Sequence, residues 1–132
     1  MKLISEHGRV HQEPSAPGHN TSLFTGVNRI TLFADGADTA YVPTTTLWKP
    51  SAINLGIAWQ LGIAPGTVTV NIFGTLAPVE LATSTDTGIQ SNVPWFSVKS
   101  AAAEQEAGVI VIPYTVLKFV FSAACSLYLA AA

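Results

Sequence analysis

Between Ile53 and Leu61 every second residue is large and apolar: Ile53, Leu55, Ile57, Trp59 and Leu61, with Asn54, Gly56, Ala58 and Gln60 between them. Successive side chains on a strand point to opposite faces, so a period of two fits an extended segment with one face in a core and fits a helix badly. Ala64, Pro65 and Gly66 supply the fixed and the permissive φ of a tight turn, and Thr67–Ile72 then alternates again, so the spacing predicts a hairpin. Near the end of the chain Leu117, Phe119 and Phe121 share one face and Val116, Lys118 and Val120 the other, which puts Lys118 outside the core. Ser122 to Ala124 turn the chain, and Cys125, Leu127 and Leu129 line a closing strand. Weaker strands are expected at Asn28–Ala34 and Thr39–Thr46, joined across Asp35 and Gly36, and at Val79–Thr83, Pro94–Lys99 and Gly108–Ile112. The one helical signal is Ser100–Ala107, where a capping Ser precedes three Ala and Gly108 follows as a stop. With no helix of crossover length between strands, the expected fold is all-β: an antiparallel β-sandwich or jelly roll of about 8–9 short strands.

Residues 1–27 read differently. They hold all three histidines, Pro14 and Pro17, and Gly8, Gly18 and Gly26, with no sustained apolar period. An extended N-terminal attachment arm is expected there, ahead of a single β-sandwich domain at 28–132. Leu3, Ile4, Val10, Leu23 and Phe24 are spaced apolar anchors that a segment without its own core would set against a partner. The first residues lack the apolar run of a signal peptide, so synthesis in the cytoplasm without export is expected. Val109–Ala132 is long enough to span a bilayer, but Pro113, Lys118 and the period of two argue for strands and against membrane insertion.

Little points to chemistry. Only 11% of the residues are charged, against roughly 25% in an ordinary soluble domain, so the surface must be polar without being ionic. Six Lys plus Arg against eight Asp plus Glu, with no basic cluster, exclude a sequence-blind grip on nucleic acid. A single cysteine, Cys125, excludes an internal disulfide and paired-cysteine metal sites. His7 and His11 stand four apart and would share a helical face with Glu6 or His19 near, but Gly8 and the prolines oppose a helix, and neither metal nor other cofactor is expected. No Gly-x-Ser-x-Gly elbow and no glycine-rich phosphate loop occurs. Asp35, Asp38, Glu80, Asp86, Glu104 and Glu106 fall at expected turns or ends, where solvated carboxylates are ordinary, so no enzyme is expected. Asn20, Thr21 and Ser22 spell a glycosylation sequon that without export is fortuitous. Trp59 sits on the apolar phase of its strand. Trp95 and Phe96 are adjacent, so one should face in and the other out. Trp48, followed by Lys49 and Pro50, and Trp95 are the candidates for stacking on a sugar.

From Pro50 to Val79 there is no Asp, Glu, Lys or Arg. The outward positions of the two strands expected there, Asn54, Gly56, Ala58, Thr67, Thr69 and Asn71, form a small, uncharged face, whereas exposed sheets of lone domains are protected by charge. Burial between subunits of a symmetric assembly is the expected use of that face.

GTVTVNIFGTL from Gly66, the tryptophan of NVPWFSVKS and the closing VIPYTVLKFVFSAACSLYLAA together resemble small β-sandwich virion proteins of tailed bacteriophages, most of all capsid decoration or cement proteins. The resemblance covers roughly residues 28–132. It implies a jelly-roll-like homotrimer on the capsid surface, made in the host cytoplasm, that binds the major capsid protein where its subunits meet and stabilises the shell without catalytic residues. A carbohydrate-binding or host-recognition β-sandwich, as in a head fibre, tail or baseplate component, is the alternative.

Overall fold

A computed structural model describes residues 2–5, 10–11, 29–47, 56–63 and 66–131. Among the described residues ten strands appear in order: β1 (Lys2–Ser5), β2 (Val10–His11), β3 (Arg29–Ala34), β4 (Asp38–Pro43), β5 (Ile57–Leu61), β6 (Val70–Thr75), β7 (Phe96–Ala102), β8 (Ala107–Ile110), β9 (Val116–Phe121) and β10 (Cys125–Ala131). Two four-residue helices, α1 (Val79–Ala82) and α2 (Thr87–Gln90), lie between β6 and β7.

The strands form an antiparallel sandwich. One sheet has the order β2-β1-β3-β10-β5-β8, the other β4-β9-β6-β7. Between β3 and β10 every connection except β6 to β7 carries the chain from one sheet to the other. Strand orders β3-β10-β5-β8 and β4-β9-β6-β7, reached by that alternation, are the two halves of a jelly roll. The all-β sandwich expected from the spacing is therefore the fold.

The apolar phases read from the sequence point inward. Ile30, Leu32, Trp59, Leu61, Leu127 and Leu129 of the first sheet meet Val42, Ile72, Leu117, Phe119 and Phe121 of the second in one buried cluster. Each such side chain, taken fully out of water, contributes about 1.5–3 kcal/mol. Cys125 joins the cluster, and burial pushes its thiol above the usual range. Native protein mixed with a thiol reagent should show no reaction over the time in which the denatured chain is fully modified; rapid native labelling would place Cys125 at the surface.

Several local expectations give way. Ile57–Leu61 and Val70–Thr75 are not a hairpin, because β5 pairs with β10 and β8 while β6 pairs with β9 and β7. Alternation identifies the buried face of a strand but not its neighbour, and a turn that crosses the core uses the same Pro and Gly as one that folds back. The strand expected at Val79–Thr83 is α1: the Thr83 N–H and hydroxyl both donate to the Val79 carbonyl, at 2.9 and 2.7 Å, and close a helical turn. A four-residue apolar run carries too little period to separate the two forms. Asp86, expected as a solvated carboxylate at a turn, accepts from the N–H groups of Gly88 (2.8 Å) and Ile89 (3.3 Å) and caps α2. No helix forms at Ser100–Ala107, since β7 runs on to Ala102 and Ala101 takes φ 51°. Gly108, expected as a helix stop, instead lies on β8 where the Trp59 ring crosses its backbone.

Part of the 1–27 segment is in the sheet of its own chain. Lys2–Ser5 pairs with β3 from Lys2 opposite Phe33 to Ser5 opposite Ile30, and Val10–His11 pairs with β1. The rest of the arm expected at 1–27 lies outside the described residues.

Candidate docking surface

The outer face of the six-stranded sheet stands out among the described residues. By register it carries Thr31 and Phe33 of β3, Ser126, Tyr128 and Ala130 of β10, Ala58 and Gln60 of β5, and Ala107 and Val109 of β8. Across these four strands Arg29, opposite Ala130 at one corner, is the lone charged position. Lys2 of β1 stands at the register position opposite Phe33 and marks the other margin. Phe33, Tyr128 and Val109 are all exposed. An antiparallel face with exposed aromatics and no interior charge has the composition of an interface centre, where charge is depleted and Tyr and Phe are enriched.

The residues expected to form one uncharged face are divided by the sheet crossing. Gly56 precedes β5 and Ala58 lies on it, within the face just described. Thr67, Thr69 and Asn71 belong to the approach to β6 and to β6 itself, in the other sheet. Two of them are tied to their own chain: the Thr69 N–H donates to Ser122 Oγ at 2.8 Å, and Asn71 Oδ1 accepts from the Ala101 N–H at 2.7 Å, holding the irregular β6–β7 pairing. Their grouping with Ala58 into a single face is thus corrected by topology. Asn54 lies outside the described residues. Of the arm anchors, Leu3 and Ile4 are on β1 and Val10 on β2; Leu23 and Phe24 lie outside the described residues.

Phe33, Tyr128 and Val109 were missed. The signal was available, since each is apolar on the outward phase of a strand whose other phase is already apolar.

The outer face of the four-stranded sheet is built otherwise. Tyr41, Lys118 and Phe73 are consecutive in register across β4, β9 and β6. The Lys118 Nζ lies 4.8 Å from the Phe73 ring centre and 4.5 Å from that of Trp95, and Trp95 approaches Tyr41 at 5.9 Å. Lys118 is outside the core as expected, but half-buried under rings. Burial draws its pKa below the usual lysine range, while the ring faces favour the charged form. Trp95 is half-buried here and Phe96 is exposed, so neither enters the core, contrary to the expectation that one would. Trp48, the other candidate sugar platform, lies outside the described residues.

Among the described residues acid–base groups are sparse. Glu106 pairs with Lys99 at 2.5 Å and accepts from the Ala103 N–H at 3.1 Å, closing the β7–β8 turn. The Lys99 hydrogen bond, with help from the Ala103 amide, holds its carboxyl below the usual range. Among the described residues no three His, Cys, Asp or Glu side chains are grouped as metal ligands, and no helix is long and apolar enough to cross a membrane. The apolar run from Val109 supplies part of β8 and all of β9 and β10. The chain matches no protein-family model, no curated protein and no solved structure.

Proposed function

We propose that the chain is a non-enzymatic structural subunit of a virion, a decoration or cement protein that lies between major capsid subunits of a tailed bacteriophage and stabilises the shell. The observation that carries this reading is the outer face of the six-stranded sheet, which over four strands presents Phe33, Tyr128, Val109 and small polar residues with charge only at its margin. Such a face is stable in water only at the cost of exposed apolar area, and docking removes that cost. Jelly rolls are used for capsid and lectin domains alike, so the fold alone does not separate shell from sugar binding. The face does favour a protein partner, because its array of Thr, Ser, Ala and aromatic side chains spans four strands and suits a large surface.

The test is co-sedimentation of the full chain with empty tailed-phage shells. Tyr128→Lys should keep the parent circular dichroism spectrum, since Tyr128 lies outside the core, yet weaken shell binding by about tenfold or more, because an unpaired charge would be buried at the contact. Equal binding by parent and variant would remove this face from the docking surface. A chain beginning at Asn28 should fold, as β1 and β2 lie beyond the eight strands of the jelly roll, and should fail to co-sediment. Undiminished binding by that shortened chain would leave attachment to the sheet face alone.

The carbohydrate reading keeps one observation in its favour, the Tyr41, Phe73 and Trp95 rings gathered on the other sheet. Lys118 is already seated against two of those rings. Titration of tryptophan fluorescence with neutral and acidic oligosaccharides decides it: a saturable change abolished by Trp95→Ala would establish a sugar site.

A further inference from the structure

We propose that β8 is a self-association edge, at which two copies of this chain join antiparallel about a two-fold axis through Val109 and merge their six-stranded sheets into one. An open sheet edge presents unpaired N–H and C=O groups, and proteins that remain single blunt such edges with charge, proline, bulges or a covering strand. The other edges of this sandwich carry those devices. On the β3 side β1 covers the jelly-roll edge, and the terminal strand beyond it, β2, has only 2 residues. The β4 edge carries Asp38 and Pro43. The β7 edge carries Lys99, two register shifts against β6, and Ala101 at φ 51°. By contrast β8 pairs with β5 alone among the described residues, in unbroken register, and holds no charged residue or proline.

The side chains of this edge suit a second copy of itself. Antiparallel partners directly opposite each other share a face, so a strand pairing with itself must match residues of equal parity. With Val109 opposite Val109, Gly108 falls opposite Ile110 and Ala107 opposite Val111, small against large on both faces. Val109 is 59% exposed and Val111 76%, which leaves both available for such contact. A two-fold axis also brings the central residue against its own copy, where any charge would meet a like charge. From Ala107 to Leu117 the sequence has none. In this register Glu106 stands opposite Ile112, away from the second Glu106, and keeps its pairing with Lys99. An unrelated extended peptide would also find the backbone groups, but it would have no reason to meet this matched series. The inference does not rest on the virion reading, since shell binding is measured separately through Tyr128.

Val109→Cys tests it in the full chain. Either kind of antiparallel pair holds opposed Cα atoms about 4.5 to 5.5 Å apart, within the roughly 4.4 to 6.8 Å span of a disulfide. Mild oxidation should therefore convert Val109→Cys into a covalent dimer, while Leu76→Cys, similarly exposed but in the loop after the interior strand β6 of the other sheet, should remain uncrosslinked at the same concentration. Light scattering should give the parent an even number of chains and Val109→Lys half that number, with an unchanged circular dichroism spectrum. An odd number of chains in the parent, an unchanged mass for Val109→Lys, or crosslinking no faster in Val109→Cys than in Leu76→Cys would each overturn the proposal.

Discussion

Phe119→Ala is expected to lower the unfolding free energy by about 3 to 5 kcal/mol, while Lys118→Leu, one residue away on the same strand, changes it by less than about 1 kcal/mol. The contrast comes from the two faces of β9. Phe119 is fully buried at the centre of the four-stranded sheet, between Ala40 of β4 and Ile72 of β6 in register. Its removal leaves a cavity that side chains held by two neighbouring strands fill poorly. Lys118 points the other way. The leucine variant loses ammonium–ring contacts with Phe73 and Trp95, of about 0.5 to 1 kcal/mol at a half-exposed site, and gains relief from a partly dehydrated charge. Urea unfolding with equal m-values gives both numbers. A loss from Phe119→Ala no larger than that from Lys118→Leu would mean that β9 does not present Phe119 to the core.

The same face logic explains how much was readable beforehand. Leu117, Phe119 and Phe121, and Cys125, Leu127 and Leu129, lie on the inner phases that alternation gives, because burial of one sheet face leaves a local mark on every strand. Pairing leaves no such mark. Whether the strand after Pro65 folds back on β5 or crosses to the other sheet depends on the whole set of eight strands competing for neighbours. The outcome, β5 between β10 and β8, joins Ala58 to Ala130 and Val109, both far along the chain. For that reason the uncharged outer surface was anticipated as a kind but assembled from the wrong parts: Ala58 lies in it, whereas Thr69 and Asn71 are on the opposite sheet and already bonded to Ser122 and Ala101. The aromatic setting of Lys118 was illegible for the same reason. It needs Tyr41 and Phe73 brought alongside by β4 and β6, and Trp95 brought over them from the segment before β7.

Glycine positions give the second large effect. In Gly74→Ala the added methyl carbon would stand 2.4 Å from Tyr114 Cδ2, 2.5 Å from Cγ and 2.7 Å from Cε2, three contacts shorter than real side chains show. Gly74 is on β6 with its backbone fixed on both sides, opposite Leu117 of β9 and Phe96 of β7. The ring has little freedom to withdraw: Tyr114 is buried, its N–H donates to the Ile112 carbonyl at 2.8 Å, and its own carbonyl accepts from Thr44 Oγ1 at 2.7 Å. Moving the ring would carry the turn that leads into β9 with it. A loss of about 3 kcal/mol is expected, at the upper end of the usual overpacking range. The cause is separable from a backbone effect by a double-mutant cycle. Tyr114→Ala alone should cost about 3 to 5 kcal/mol through its cavity, and in its presence the Gly74→Ala methyl enters vacated space. The double variant should then be more stable than the sum of the single losses by about 2 kcal/mol or more. Additive losses would show that the ring is not what reserves Gly74, and that the requirement lies in the strand backbone itself.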